Sequence, residues 1–217
     1  MLLAAGRGER MGVLTSHLPK PLLPVGHSTL IEQNLLRLKN AGINEVVINL
    51  HYLRDQLMDH LGDGKKYGLK INYSIEEELL GTGGGIEKAL CFFDNQPFLI
   101  MSSDIWTDYP LTNLMHQITS VAHLVLVNNP SFHLAGDYGL SKNNTVQFAT
   151  PKFTYANFGI LNPHLFHPKK MGFYKLTDVL NPAIANQLVT GEIYAGAWFN
   201  VGTAQELERA NHFLIPE

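Results

Sequence analysis

Two cationic side chains follow a short apolar segment and a glycine-rich turn near the amino terminus. Residues 2–4 predict a strand, and Gly6 and Gly8 come soon after it. Glycines allow the backbone to approach a ligand closely and to point N–H groups at anionic oxygens. Arg10 can donate two hydrogen bonds from one side chain, and Lys20, between two prolines, adds a compact positive charge. The segment therefore predicts a phosphate-binding loop.

The known glycine loops for nucleotides do not fit this segment. A Walker A loop needs Gly-Lys-Ser or Gly-Lys-Thr, which the segment lacks, and the dinucleotide fingerprint fails because Met11 stands where it needs a third glycine. The glycines alone would be better explained as an ordinary turn with cations at the surface. The combination of the glycines with Arg10 and Lys20 favours a phosphate site over that alternative.

A second glycine cluster lies at residues 81–85, where four of the five residues are glycine. Residues without side chains leave room for a flat ring or a sugar to lie on the backbone. The helix predicted after this cluster would present its amino terminus, which favours an anion or the polar edge of a ligand. A flexible loop with a helix cap explains the cluster equally well when it is considered by itself.

Oxygen ligands for a metal ion follow two predicted strands. Asp104 comes just after the apolar residues 98–101, and a carboxylate at such a strand end is suited to bind Mg²⁺. Asn200 ends another predicted strand, and its amide oxygen could complete the site as a neutral ligand. Each residue by itself has a simpler explanation, because Asp often caps the next segment and Asn often lies in a polar turn.

The pattern of apolar residues predicts the elements that position these side chains. Strands are predicted over residues 2–4, 45–51, 70–75, 98–101, 123–129, 154–161 and 193–201, a hairpin over 138–142 and 145–149, and helices over 29–40, 53–61, 82–92, 176–187 and 203–214. This alternation predicts an α/β fold: a Rossmann-like mixed, mainly parallel sheet with helices on both faces and a small antiparallel lobe. We expect a single domain over residues 1–217. Ligands of such sheets bind outside the carboxyl ends of the strands.

The composition limits the classes of function. The 217 residues include 16 Lys and Arg against 19 Asp and Glu, so the net charge of −3 leaves no basic excess for a general nucleic-acid binder. The chain has no apolar stretch near the ~20 residues of a membrane helix and no signal-peptide pattern. The single cysteine, Cys91, excludes a disulfide framework and is expected in the core. These features predict a cytoplasmic protein without nucleic-acid or membrane partners.

The combined motifs resemble a known family. LAAGRGERM at residues 3–11 and LPKPLLPV at 18–25 are similar to the signature of the sugar-1-phosphate nucleotidylyltransferases, and the later motifs follow in the family's order over nearly the whole chain. The sequence most resembles the short branch related to N-acetylmuramate α-1-phosphate uridylyltransferase. The motifs that suggest this branch are EEELLGTGGGI at 76–86, SSDIW at 102–106, NNPSFHLAGDYGL at 128–140 and FTYANFGIL at 153–161.

The resemblance implies a reaction and a role for each site residue. The phosphate oxygen of a sugar 1-phosphate attacks the α-phosphorus of a nucleoside triphosphate, with UTP and N-acetylmuramate α-1-phosphate favoured, and pyrophosphate leaves. This reaction would serve peptidoglycan sugar recycling. The implied residues are Arg10 and Lys20 for catalysis; Ala4, Ala5, Gly6, Gly8, Gly81, Thr82 and Gly83 for the nucleotide; Gly84, Gly136, Asp137 and Asn157 for the sugar; and Asp104 and Asn200 for Mg²⁺.

The sequence departs from the pattern of this branch at several positions. Asn200 stands where most members have Asp, which removes one negative charge and predicts weaker Mg²⁺ binding. Ser103 replaces a glycine before the acidic residue, and Gly12 and Val13 replace a segment that usually carries Pro. Met1 aligns with an interior apolar position of relatives, so we expect the natural start slightly upstream.

Two other functions remain open at this point. The same chemistry could serve mannose 1-phosphate with GTP, or glucose 1-phosphate with UTP or CTP, because base and sugar choice depend on a few pocket contacts. A nucleotide-sugar binding module that lost catalysis through Asn200 is the alternative from another class. Arg10, Lys20 and Asp104 argue against such a module.

Overall fold

The computed structural model describes residues 1–117 and 121–215. Its strands are β1 (Leu2–Leu3), β2 (Pro24–Val25), β3 (Ser28–Thr29), β4 (Glu45–Leu50), β5 (Lys70–Ile75), β6 (Phe98–Ser102), β7 (Ile105–Thr107), β8 (Ala122–Val127), β9 (Gly139–Leu140), β10 (Val146–Gln147), β11 (Thr154–Leu161), β12 (Val189–Tyr194) and β13 (Trp198–Asn200). Its α-helices are α1 (Leu30–Asn40), α2 (Arg54–Leu61), α3 (Gly81–Ala89), α4 (Thr177–Ala185) and α5 (Ala204–Leu214).

The chain divides into two compact units. The first unit comprises Met1–Leu79, Ser102–Thr112 and Ala197–Glu217. The second unit comprises Leu80–Met101 and Asn113–Gly196. The expected single domain over residues 1–217 stays a prediction.

In the first unit, three parallel strands carry the loops of interest at their carboxyl ends. The order is β1-β4-β5, with Leu3 opposite Asn49 and Leu50 opposite Ile75, so the three strands end close to the same level. Helix α1 begins at the capping box that its sequence predicts, in which the Thr29 hydroxyl accepts from Glu32 N and the Glu32 carboxylate accepts from Thr29 N. These strands and this helix match their predicted positions.

One core cluster in the first unit anchors the segments that carry the predicted site residues. Met11 follows Arg10, Val201 follows Asn200, and Trp106 lies two residues after Asp104. Burial of each such side chain stabilises the fold by roughly 1.5–3 kcal/mol. Because Arg10, Asp104 and Asn200 lie one or two residues from a cluster member, this packing restrains the backbone that carries them. The cluster consists of Met11, Leu23, Val25, Leu30, Trp106, Val201 and Ala210.

In the second unit, the strand order is β12-β8-β11-β6, with β12 parallel to β8 and β11 antiparallel to both of its neighbours. With the parallel pairs of the first unit, this confirms the mixed, mainly parallel sheet. Strands β9 and β10 form the predicted antiparallel hairpin, although only two residues of each strand pair. Asn144 in its turn has a φ of 59°, a left-handed conformation that Asn tolerates.

Two expectations about local structure are wrong. The strand predicted over residues 193–201 is two strands, since β12 ends at Tyr194 and β13 begins at Trp198 and pairs with β7 instead. Gly196 lies between them, and the Tyr194 hydroxyl lies 2.1 Å from where a Cβ on Gly196 would be, so the Tyr194 ring folds over the break. Cys91 is exposed, because α3 ends at Ala89 and the tighter turn Leu90–Phe92 carries the thiol to the surface.

Within the described ranges 1–117 and 121–215, no helix is both long enough and apolar enough to span a membrane.

Candidate active site

An ion pair joins two of the predicted site residues in the first unit. Lys20 begins the short 3₁₀ turn Lys20–Leu22, and its ammonium contacts Oδ2 of Asp104. The Ser102 hydroxyl donates to the other carboxylate oxygen, Oδ1, at 2.7 Å. The side chains of Lys20 and Asp104 are only 10% and 22% exposed, so this pair is shielded from water far more than a surface salt bridge. The sequence analysis missed Ser102 as a partner of the carboxylate.

Asn34 fixes the backbone on both sides of Asp104. Its amide nitrogen donates to the carbonyl of Ser103 at 3.3 Å and to that of Ile105 at 3.0 Å, and the residue is fully buried in α1. Val201 N donates to the Asp104 carbonyl at 2.9 Å. The signal that could have found Asn34 is a polar residue inside the apolar stripe of α1, since Leu30, Ile31, Leu35 and Leu38 are its buried neighbours there.

Asn200 has an unused side-chain oxygen and lies on the strand that pairs with the segment after Asp104. In the antiparallel pair of β13 and β7, Asn200 lies opposite Ile105, the residue after Asp104. Its Oδ1 atom is buried and has no hydrogen-bond partner among the residues that the structure describes. A buried acceptor without a donor is costly, and a cation is one group that would satisfy it. Asp104 and Asn200 therefore fit a cation site made of one carboxylate and one amide oxygen.

A cation held here would take its remaining ligands from substrate or water. Over residues 1–117 and 121–215, no three His, Cys, Asp or Glu side chains cluster so as to hold a metal ion. Magnesium is commonly bound by one or two carboxylates together with phosphate oxygens and water, rather than by a complete cage of protein ligands. Asp104 and Asn200 form a set of few protein ligands, as is common for magnesium.

Arg10 lies beside the same segment. The residue is exposed, and its guanidinium packs on the backbone of Gly202, where an added Cβ would lie 3.2 Å from Nη2. Gly8 packs closely on Lys20 in turn, since a Cβ on Gly8 would lie 3.2 Å from the Lys20 Cβ. The first unit thus places Arg10, Lys20, Asp104 and Asn200 on neighbouring segments, and their roles in catalysis and metal binding stay predictions.

A buried polar network supports the backbone where β1 ends. Ala4 N donates to the amide oxygen of Asn49 at 3.1 Å, and the Asn49 amide nitrogen donates to the Glu76 carboxylate at 2.7 Å. Asn49 and Glu76 are 3% and 1% exposed. The network holds the start of the segment that contains Ala5 and Gly6, both predicted to bind the nucleotide. The supporting role of Asn49 was not predicted, because the residue lies within an apolar strand. The signal that could have found it is a polar residue near the end of that strand.

In the second unit, the glycine cluster packs against a segment of the same unit. An added Cβ would lie 2.3 Å from the Tyr174 ring at Gly83 and 2.2 Å from the carbonyl of Gly172 at Gly84. At Gly81, which has a φ of 70°, it would lie 2.6 Å from the Tyr174 carbonyl. The Thr82 hydroxyl accepts from Leu176 N at 2.8 Å. Internal packing therefore requires these glycines, and their roles in nucleotide and sugar binding stay predictions.

Glu87 holds that packed segment in place. Its carboxylate accepts from Lys170 N at 2.9 Å, from Met171 N at 3.2 Å and from the Tyr174 hydroxyl at 2.7 Å. Burial and the neighbouring Glu87 carboxylate raise the pKa of Tyr174 well above its usual range, so the phenol stays a donor. The sequence analysis missed Glu87, which lies one turn after the glycines in α3.

The other three residues predicted for the sugar, Gly136, Asp137 and Asn157, lie in the second unit, and Gly136 and Asn157 have left-handed backbone conformations. Asp137 accepts from Tyr155 N at 2.8 Å and contacts His133 Nε2 at 3.0 Å, so its carboxylate ties the loop before β9 to β11. Gly136 has a φ of 60°, and an added Cβ would lie 2.8 Å from Asn129 Oδ1. Asn157 has a φ of 61° at an irregularity in the pairing of β11, a feature that often lies beside functional sites.

The chain is similar to known proteins over its whole length. A family model described as "Nucleotidyl transferase" matches residues 1–217. An N-acetylmuramate alpha-1-phosphate uridylyltransferase of Neisseria meningitidis is 40% identical, over 97% of this chain and 95% of its own length. A protein of the same description from Caulobacter vibrioides is 30% identical, over 94% of this chain and 92% of its own length.

The fold is also similar to that of solved structures. The crystal structure of a putative glucose-1-phosphate thymidylyltransferase from Bacillus anthracis superposes with a TM-score of 0.84 at 19% identity, covering 100% of this chain and 94% of the other. At that identity the likeness shows the fold alone, and it agrees with the α/β architecture that the sequence predicts.

Proposed function

Since the chain belongs to the nucleotidyl transferase family, we propose that it transfers a uridylyl group from UTP to N-acetylmuramate α-1-phosphate. The products are pyrophosphate and the UDP-sugar, and the reaction serves the recycling of peptidoglycan sugars. The observation that carries the chemistry is the shielded Lys20–Asp104 pair, with the unpartnered oxygen of Asn200 on the strand that pairs with the segment after Asp104. The choice of substrates rests on similarity to the relative that is 40% identical over 97% of this chain.

The side chains of the first unit neutralise and orient the reacting phosphates. A phosphate oxygen of the sugar 1-phosphate forms a bond to the α-phosphorus of UTP while the bond to the β-phosphate oxygen breaks, and both electrons of that bond leave with pyrophosphate. Such a transfer needs positioning and charge stabilisation more than covalent help. Arg10 binds phosphate oxygens with its planar donor pair, and Lys20 adds a nearly buried positive charge.

Mg²⁺ is the cation proposed for the site, with Asp104 and Asn200 as its protein ligands. When bound, it supplies charge neutralisation of the triphosphate and of the leaving pyrophosphate. The unpartnered Asn200 oxygen supports this assignment. Ser102 and Asn34 hold Asp104 in place through its second carboxylate oxygen and its flanking carbonyls.

The remaining roles are assigned by the resemblance of the motifs. The backbone of Ala4, Ala5, Gly6 and Gly8 contacts the nucleotide, and the support that Asn49 gives to Ala4 N favours a rigid backbone there. Gly81, Thr82 and Gly83 are proposed for the nucleotide as well, and Gly84, Gly136, Asp137 and Asn157 for the sugar. We place the enzyme in the cytoplasm, where an exposed, unpaired Cys91 thiol is normal.

A panel of substrate pairs tests the proposal. Pyrophosphate release is measured with Mg²⁺ for UTP and N-acetylmuramate α-1-phosphate, for GTP and mannose 1-phosphate, and for UTP or CTP and glucose 1-phosphate. The proposal predicts the highest kcat/KM for the first pair. Turnover of a hexose pair beside failure of the first pair would overturn the substrate assignment, and tight UDP-sugar binding without pyrophosphate release would favour a binding module.

A further inference from the structure

The loop that carries Arg10 has little packing of its own. Within the short helical segment Glu9–Thr15, only Met11 and Thr15 are buried, while Val13 is 89% exposed and Leu14 is 44% exposed. Gly12 breaks the segment with a φ of 58° and a ψ of −126°, a conformation that essentially only glycine adopts. Met11 anchors one point of this loop in the core cluster, and polar contacts must hold the shape of the rest.

The Thr15 side chain closes the loop from inside. Its hydroxyl lies 2.9 Å from the carbonyl oxygen of Gly8 and 3.3 Å from that of Gly12, and it donates toward both. Its methyl group lies 3.1 Å from where a Cβ on Gly8 would be, so Gly8 fits directly against it. Thr15 itself is 3% exposed. One side chain thus connects the two glycines on either side of Arg10.

Tyr52 closes the same loop from outside. It lies just after β4, and its hydroxyl donates to the carbonyls of Thr15 at 3.1 Å and Ser16 at 3.0 Å. The phenol therefore holds the end of the loop to the strand layer of the first unit. Together the Thr15 and Tyr52 hydroxyls contact four backbone carbonyls within residues 8–16.

We propose that Thr15 and Tyr52 are positioning residues for nucleotidyl transfer, which set the loop so that Arg10 and Lys20 meet the triphosphate. This inference rests on the proposed function. Neither side chain has to touch substrate: Thr15 acts on Arg10 through the carbonyls of Gly8 and Gly12, and on Lys20 through Gly8, which packs on its Cβ. We call the Thr15 and Tyr52 hydroxyls the loop clamp. Misplacement of catalytic groups by about 1 Å can lower the rate roughly 100-fold, so loss of the loop clamp is expected to lower turnover.

Three variants and a control separate positioning from folding. Thr15→Val keeps the shape of the side chain and removes the hydroxyl, Thr15→Ser keeps the hydroxyl, and Tyr52→Phe removes only the phenol oxygen. Tyr73→Phe is the matched control, because the Tyr73 hydroxyl donates to the carbonyl of Gly62, outside the proposed site. The readouts are kcat and KM for UTP, together with amide hydrogen exchange of residues 8–16 in the substrate-free full-length chain.

If the loop clamp positions Arg10 and Lys20, the variants should differ in kcat and in the rate of amide hydrogen exchange. Thr15→Val lowers kcat by about tenfold or more and speeds exchange in residues 8–16 by about fivefold, with smaller changes of both kinds in Tyr52→Phe. Thr15→Ser keeps kcat within about threefold of the parent chain, and Tyr73→Phe changes neither quantity.

Several results would overturn the inference. Thr15→Val with unchanged exchange and near-normal kcat shows that the hydroxyl does not position the loop. If kcat is as low in Thr15→Ser as in Thr15→Val, loss of the hydroxyl is not the reason for the lower turnover. If Thr15→Val fails to fold, Tyr52→Phe decides, and normal exchange with normal turnover in that variant refutes the clamp. If the parent chain turns over none of the substrate pairs, the proposed function fails, and the exchange measurement still tests the clamp.

Discussion

The ammonium of Lys20 contacts Oδ2 of Asp104, the carboxylate that is proposed as a ligand of the cation. The two residues are 84 positions apart in sequence, and both side chains are largely shielded from solvent. In the chain without substrate, the positive charge of Lys20 therefore compensates the charge of Asp104. A triphosphate can attract Lys20 away from this carboxylate, so we expect the cation and the nucleotide to bind together.

This contact predicts competition between Lys20 and a free metal ion. In Lys20→Met, free Mn²⁺ binds about tenfold more tightly than to the parent chain, because a positive charge next to the carboxylate is gone. Electron paramagnetic resonance of free Mn²⁺ measures the affinity directly and does not depend on turnover. Lys65→Met is the control, since Lys65 pairs with Asp63 at the surface. Unchanged or weaker Mn²⁺ binding in Lys20→Met would contradict the competition.

Asn200 predicts the effect of restoring a charge. Asn200→Asp replaces the unpartnered amide oxygen by a carboxylate next to Asp104, so the Mg²⁺ concentration for half-maximal turnover falls by about threefold or more. The measurement is a Mg²⁺ titration of pyrophosphate release at saturating substrates. A higher Mg²⁺ requirement in the variant would show that this position does not face the cation.

An added methyl group is expected to lower stability at Gly83 and to weaken UTP binding at Gly6. In Gly83→Ala the new Cβ collides with the Tyr174 ring, and overpacking of this kind costs about 1–3 kcal/mol of unfolding free energy. In Gly6→Ala the Cβ meets no atom within 4 Å, so stability stays nearly constant while the KM for UTP rises. Urea unfolding and steady-state kinetics of both variants measure the contrast. A stable Gly83→Ala, or a Gly6→Ala with normal KM, would refute the respective assignment.

His123 predicts part of the pH dependence of stability. Burial lowers the pKa of His123, although Glu192 at 3.7 Å opposes this, and the Thr190 hydroxyl lies 2.9 Å from its Nδ1. The unfolded chain takes up a proton near pH 6.5, where the folded chain does not. The free energy of unfolding therefore falls as the pH drops below about 6.5, by at most about 1.4 kcal/mol per pH unit from this group.

The variant His123→Gln isolates this contribution. Between pH 7.5 and 5.5 its unfolding free energy should fall less steeply than that of the parent chain, as measured by urea unfolding at each pH. His212→Gln, at an exposed position, is the matched control and should keep the parent slope. Equal slopes for the parent chain and His123→Gln would show that His123 is not kept neutral by the fold.

Local sequence patterns were sufficient for most of the architecture. The capping box of Thr29 and Glu32 fixed the start of α1, and runs of β-branched residues predicted β4 and β8. The order of the motifs likewise led to the prediction that Lys20 and Asp104 serve one site, although not that they form an ion pair. These features depend on neighbours in sequence or on a pattern of motifs, so one sequence contains enough information to find them.

Features that depend on distant contacts could not be predicted. Asn34 matters because its amide reaches carbonyls 69 and 71 positions away. Thr15 contacts glycines only 7 and 3 positions away, but across an irregular turn that no helix or strand pattern predicts. The packing of Gly83 on Tyr174 is of the same kind. The type of each residue suggests a local role: a helix position for Asn34, a cap for Thr15 and a ligand-binding glycine for Gly83. The contacts in the folded chain give each of them a structural role that this local interpretation does not contain.

The role of the Lys20–Asp104 pair is tested most directly by pyrophosphate release from UTP and N-acetylmuramate α-1-phosphate, measured for the parent chain, Lys20→Ala and Asp104→Ala. We expect turnover by the parent chain and a loss of about 100-fold or more in each variant, with circular dichroism showing that both still fold. A near-normal rate in either folded variant would contradict the claim that this pair binds the triphosphate and its cation.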